Sequence, residues 1–257
     1  MAPIKDFYNR MTKIASEKRF WLLPLGQVEE LPIWLVRTRF NSDHKDPKML
    51  VVSGFHGEER AGPYGVLKWM GTDNYNILKR VDLSFIPVVN PVGFKNETRY
   101  SIAGEPNNCG FCHPESKEKL SREGQILYKN IDLLRPCAEN GFLSLHEDIG
   151  VKEFYLYTFE KTKEPGTFTE GLKEVLAQYF HKPLDGVSVE ADAGEKGTKV
   201  QDGLVYRHCD GSFEDWMFHL GVPRSAVTET PGKRRWEKRV DAGVAVINKF
   251  IELCEAN

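Results

Sequence analysis

Apolar residues in this chain come in short runs separated by polar turns, and most of the runs predict strands. Phe20-Trp21-Leu22-Leu23-Pro24-Leu25 and Ile33-Trp34-Leu35-Val36-Arg37-Thr38 flank a polar turn, as a hairpin or two edge strands would. Upstream, the opening segment alternates poorly and predicts no element. Met49-Leu50-Val51-Val52 has no polar position, the pattern of a strand buried on both faces. Gly54 to Gly62 then changes the composition sharply, a helix is expected from about Glu59 to Met70, and Val81 to Val89 resumes as a strand ending at Asn90-Pro91-Val92-Gly93.

Residues 94–140 are the least periodic stretch, crowded with Asn, Gly, Pro and charge, and read as a long loop region near a functional site. Phe142-Leu143-Ser144-Leu145 is again a strand and runs straight into His146-Glu147-Asp148. A helix is expected over Thr169 to Phe180, stopped near Lys182-Pro183, and Ser225-Ala226-Val227-Thr228 is a short strand ending at Glu229. Val240, Val244, Ile247, Phe250, Ile251 and Cys254 recur at spacings of three and four, which predicts a helix over about Trp236 to Glu255. Polar residues thus follow apolar strands at Gly54, Asn90, His146 and Glu229. In an open α/β sheet ligands bind beyond such strand ends, so four remote segments can build one site.

The length of 257 residues allows one large α/β core or two smaller ones. With 35 Lys and Arg against 37 Asp and Glu, there is no domain-wide positive field to attract a nucleic acid. No apolar run approaches the ~20 residues of a membrane-crossing helix. The N-terminus has no apolar core after its first basic residues, which makes a cytoplasmic location the expectation. Five cysteines are too few, and odd in number, for a disulfide scaffold. Without a secretory route, Asn96-Glu97-Thr98 is a chance match to a glycosylation acceptor. A monomer is the default.

His56-Gly57-Glu58-Glu59 sets an imidazole and a carboxylate three residues apart at a strand-to-helix junction. His146, at another strand end, completes a His, Glu, His set with an open fourth position for water, and Zn2+ is the natural occupant. Spacing leaves Glu58 and Glu59 as competing ligands. The blander roles are a core histidine for His146 and a first-turn helix carboxylate for Glu59. Glu147 or Asp148 could orient the second nitrogen of His146 or face solvent.

These segments together resemble the zinc carboxypeptidase superfamily. His56-Gly57-Glu58-Glu59 resembles its His-x-x-Glu motif and Leu145-His146 its strand-end histidine. Asn90-Pro91-Val92-Gly93-Phe94 resembles its Asn-Pro-Asp-Gly segment, followed by Arg99, and Gly211-Ser212-Phe213-Glu214-Asp215-Trp216 resembles Gly-Ser-x-Asp-Trp with one extra residue. The resemblance runs in order over about residues 49–250. It implies one catalytic domain over 1–257, a three-layer α/β/α sandwich around a mixed, mostly parallel eight-stranded sheet. One zinc ion is implied on His56, Glu59 and His146. Glu229 would be the carboxylate that takes a proton from water and returns it to the leaving amine, and Arg99 the group that stabilises the carbonyl oxygen. Asn108 and Tyr206 would contact substrate.

One departure stands out. Where the family carries Asn-Arg to grip a terminal carboxylate, this chain has Asn108-Cys109, and a thiol cannot replace a fixed cationic fork. Arg135, Arg207 or Arg224 could compensate from other loops. The expected activity is therefore metal-dependent hydrolysis of a peptide or small amide, carboxypeptidase-like. The alternatives are an N-acyl amino-acid deacylase of the aspartoacylase or desuccinylase kind, and a catalytically silent metal-binding domain. Cys109-Gly110-Phe111-Cys112-His113 also spells a haem-attachment signature and offers ligands for a second metal. Loop packing with free thiols is the expectation there.

Overall fold

The computed structural model describes residues 3–39, 46–112, 120–189 and 197–255. Helix α1 (Pro3–Lys18) precedes a hairpin of β1 (Trp21–Val28) and β2 (Leu31–Arg37). Then come β3 (Lys48–Ser53), α2 (Ala61–Gly71), the single turn α3 (Tyr75–Leu78) and β4 (Asp82–Ile86). Helices α4 (Pro91–Asn96), α5 (Arg122–Lys129) and α6 (Ile131–Cys137) lead to β5 (Gly141–Asp148), β6 (Tyr155–Glu160) and α7 (Thr167–Phe180). The chain continues through the short β7 (Ser188–Val189), β8 (Thr198–Lys199) and β9 (Leu204–Tyr206) to α8 (Phe213–His219), β10 (Arg224–Pro231) and α9 (Trp236–Glu255).

Eight strands form one sheet in the order β1-β2-β4-β3-β5-β10-β6-β9. The central β4, β3, β5 and β10 run parallel, as do β6 and β9, while the β1–β2, β2–β4 and β10–β6 pairings are antiparallel. Alternation along β3 explains the layers. Met49 and Val51 face one buried cluster with residues of α1, α2, α7 and α9, while Leu50 and Val52 face another with residues of α5, α6 and α8. This is the expected three-layer sandwich with a mixed, mostly parallel sheet. No helix among the described residues is long and apolar enough to cross a membrane.

The strands expected around residues 20–38, at Met49, at Val81, at Phe142 and at Ser225 are all present, and α9 covers the expected span. Three features differ. The opening segment is helix α1, whose Ile4, Phe7, Met11 and Ala15 are buried at spacings of three and four. Strand β6, an aromatic-rich run not singled out above, pairs with β10. The region 94–140 is not loop throughout. Ser121 caps α5 by accepting from the Gly124 amide at 2.9 Å, and α6 follows directly.

Topology places the site. From β3 the chain passes to β4 on one side and later returns to β5 on the other, so a crevice opens where the strand order reverses. His56 and Glu59 follow β3, while His146 lies in β5, directly opposite Glu229 of β10. The loop after β3 is pressed against the turn after β4. A Cβ on Gly57 would lie 1.9 Å from the Gly93 carbonyl carbon and 2.2 Å from the Phe94 nitrogen, both rigid backbone. Gly57→Ala is therefore expected to cost about 3 kcal/mol or more, beyond ordinary overpacking, read as a lower urea midpoint. Gly71→Ala, whose Cβ would make ordinary contact with Ile14 at 3.4 Å, should leave the midpoint nearly unchanged.

Candidate metal centre

His56, Glu59 and His146 are 4%, 2% and 3% exposed, so three ionisable groups share a dry site where each must satisfy the others. His56 Nδ1 lies 2.5 Å from Glu59 Oε1, and His146 Nδ1 lies 2.9 Å from Glu59 Oε2. The Glu147 amide donates to Glu59 Oε2 at 3.1 Å. Burial opposes ionisation of Glu59, but the two imidazoles overcome it and hold its carboxyl well below the usual range. Burial likewise disfavours charge on His146, yet Glu59 and Glu214 raise its pKa well above the ordinary value.

The three donor atoms fall within 4.8 Å of one another. Two imidazole nitrogens facing the two oxygens of one carboxylate are a donor set suited to a divalent ion with a remaining open position. The sequence left Glu58 and Glu59 unresolved by spacing. Glu59 turns inward, while the Glu58 carboxylate lies 3.5 Å from Arg99 Nη1.

Support for His146 comes from an unexpected residue. Its Nε2 faces Glu214 Oε1 at 3.7 Å, and neither atom has a hydrogen-bond partner. Glu214 is fully buried; its other oxygen accepts from Asn108 Nδ2 at 2.9 Å, while Asn108 Oδ1 accepts from the Phe213 amide at 2.9 Å. A carboxylate behind a ligand histidine fixes its tautomer and orientation. Glu147 and Asp148 are engaged elsewhere. Glu147 accepts from the Ala61 amide at 2.5 Å and pairs with Arg239, and Asp148 accepts from the Tyr155 hydroxyl at 3.1 Å.

Arg99 Nη1 sits 3.1 Å from Glu59 Oε1. Its backbone oxygen accepts from the Gly57 amide and from Asn90 Nδ2, both at 3.1 Å, so the Asn90 turn holds the arginine over the cluster. Burial, with Glu59 and Asp148 nearby, pushes the Glu229 carboxyl up to about 8 against the opposing pull of the histidines. His56, Arg99, Asn108, His146, Glu214 and Glu229 all line one cavity. A neighbouring hollow shares Arg99, Tyr157 and Glu229 with it.

Other candidates lie elsewhere. Tyr206 is on the edge strand β9, its hydroxyl 3.0 Å from Thr162 Oγ1 and 2.9 Å from the Thr162 carbonyl, and it does not line the cavity. Arg135 donates to the Leu220 carbonyl at 3.4 Å, Arg207 lies over the Phe218 ring at 5.6 Å, and Arg224 donates to the Leu253 carbonyl at 3.3 Å. Among the described residues, Arg99 is the one arginine lining the cavity. Cys109 and Cys112 are partly buried, and His113 lies outside the described residues.

No protein-family model matches the chain, and no curated protein matches it. Three crystal structures that carry a provisional metallopeptidase description are similar to it over nearly its whole length. One, from Shewanella denitrificans OS217, is 35% identical over 99% of this chain and 91% of its own, with a TM-score of 0.88. A second, from Shewanella amazonensis SB2B, is 32% identical over 98% and 93%, with a TM-score of 0.88. The third, from Shewanella baltica OS155, is 34% identical over 98% and 93%, with a TM-score of 0.89.

Replacing Glu214 by Gln would set an amide nitrogen or a weaker acceptor against His146 Nε2. Glu214→Gln is expected to lower Zn2+ affinity by about 10–100-fold while the thermal transition is retained, measured by competition with a chromogenic chelator.

Proposed function

Because the chain belongs to the zinc carboxypeptidase superfamily, we propose that it is a zinc-dependent hydrolase that cleaves an amide bond in a peptide-like substrate. One observation carries this reading: His56, Glu59 and His146 converge at a cavity that Glu229 and Arg99 also line. Zn2+ bound to His56, Glu59 and His146 would supply Lewis acidity and a lowered pKa for water. Glu229, placed opposite His146 by strand register, takes a proton from the attacking water and delivers it to the leaving nitrogen. Arg99, fixed through its backbone by Gly57 and Asn90, faces the carbonyl oxygen as negative charge develops. Asn108 holds Glu214 and forms part of the wall, so its role is to keep the ligand His146 in place as well as to meet substrate.

The lining charges favour one substrate type. A substrate anchored by its terminal carboxylate needs a cation apart from the one at the scissile carbonyl, and among the described lining residues Arg99 is the single arginine beside the acids Asp210, Glu214 and Glu229. An N-acyl amino acid has the same requirement. Two hollows meeting at Arg99, Tyr157 and Glu229 instead suit a chain that continues on both sides of the cleaved bond.

Chelation should abolish turnover and Zn2+ restore it. Glu229→Gln should lower kcat by about 100–10,000-fold with zinc content unchanged. On a peptide panel, amidating the C-terminus should change kcat/KM by less than about tenfold, equivalent to ~1.4 kcal/mol of transition-state binding. Full activity of Glu229→Gln would overturn the mechanism, and turnover confined to free-carboxylate peptides or N-acyl amino acids would overturn the substrate assignment.

A further inference from the structure

A second group of metal-type donors lies on the other side of α8. Cys112, Asp215 and His219 offer a thiol, a carboxylate oxygen and an imidazole nitrogen within 4.8 Å of one another. They come from two segments distant in sequence, the loop after Asn108 and helix α8. Cys112 Sγ lies 3.3 Å from Asp215 Oδ2. Cys209, an exposed thiol on the loop leading into α8, lies 3.8 Å from the Arg207 carbonyl and is not part of the cluster.

Asp215 is the informative member. It is 1% exposed, and although Oδ2 accepts from the Gly211 amide at 3.0 Å, Oδ1 has no hydrogen-bond partner. His219 Nδ1 is 2.9 Å from that oxygen but hydrogen-bonds the Asp215 carbonyl, also at 2.9 Å. A buried carboxylate oxygen that has no hydrogen bond and faces an imidazole nitrogen, on the same carboxylate whose other oxygen meets the Cys112 thiol, sets three metal-type donors around one point.

We propose that Cys112, Asp215 and His219 form a second site for a divalent ion of the zinc class, separate from His56, Glu59 and His146. Mixed sulfur, nitrogen and oxygen donors select a borderline-soft ion such as Zn2+ over Mg2+ or Ca2+. Binding requires each ligating thiol to release its proton to solvent. Without a cation this is resisted, because burial and the Asp215 carboxylate hold the Cys112 thiol well above the usual range. A divalent ion removes the conflict between thiolate and carboxylate.

The role of this site is structural. Phe111 donates its amide to the Gly211 carbonyl at 2.9 Å and stacks on Trp216 at 5.6 Å, so the loop bearing Asn108 and Cys112 is already docked on the start of α8. A metal joining Cys112 to Asp215 and His219 pins that loop. Neighbouring residues on a helix point about 100° apart, so Glu214 serves His146 while Asp215 serves the second ion.

The test is Co2+ titration of chelator-stripped, reduced protein, followed by metal content and near-ultraviolet absorbance. Two equivalents should bind, one of them with a thiolate-to-cobalt charge-transfer band. Glu59→Gln should lose the other equivalent and keep the band. Cys112→Ser should lose the band and one equivalent. His219→Ala alters a half-exposed side chain that the fold tolerates, and should weaken the band-forming step by at least about tenfold. A single equivalent without a thiolate band, in protein whose five thiols titrate as reduced, would overturn the proposal. So would a band unchanged in Cys112→Ser.

Discussion

Burying the Glu59 carboxylate is the constraint on which the rest of this site depends. An ionised carboxylate in a dry interior is costly unless every oxygen is engaged, and the structure engages both: His56 and Arg99 on one, His146 and the Glu147 amide on the other. Meeting that demand fixes the backbone around it. His56 can meet Glu59 Oε1 because Gly57 lets the loop after β3 press into the Gly93–Phe94 backbone. Arg99 reaches the same oxygen because Gly57 and Asn90 hold its carbonyl. His146 arrives from β5, adjacent to β3 in register, so the sheet itself sets its approach.

Charge around the cluster is asymmetric in a way that suits proton transfer. Glu229 lies between two opposing influences: burial and neighbouring acids raise its pKa, while the histidines lower it. A cation among those ligands would act in the same direction as the histidines and draw Glu229 down toward neutrality, where a carboxyl can both accept and return a proton. Arg99 is permanently charged and cannot perform that exchange, so in the proposed mechanism the two groups would divide the work by their chemistry.

Legibility in the sequence followed how local each signal was. Strands β3 and β5 could be read because burial on both faces leaves no polar position in Met49–Val52 and places His146 directly after an apolar run. Helix α9 could be read because its buried residues repeat over 20 positions. Helix α1 was missed because Ile4, Phe7, Met11 and Ala15 are sparse among charged and polar neighbours and do not alternate. At the site, His56, His146 and Glu229 could be singled out because each comes at or near the end of an apolar strand, and Glu59 because it lies three residues from His56, whereas Arg99 follows helix α4 and was suggested only by the resemblance. Glu214 carried no such mark. Whether it or Asp215 turns inward depends on the phase of α8 against the sheet, which only packing sets. Arg135, Arg207 and Arg224 were candidates for the arginine that the resemblance leads one to expect at position 109, but their reach is a tertiary property, and all three meet other partners.

The start of α8 links two clusters of polar side chains. Ser212 caps the helix by accepting from the Asp215 amide at 3.3 Å, which fixes the first turn and so the directions of Glu214 and Asp215. One carboxylate then supports His146, and the other faces the thiol of Cys112. Asn108 and Cys112 belong to one loop, and each meets α8 through a different one of these two carboxylates, so a single helical turn ties that loop to the group behind His146.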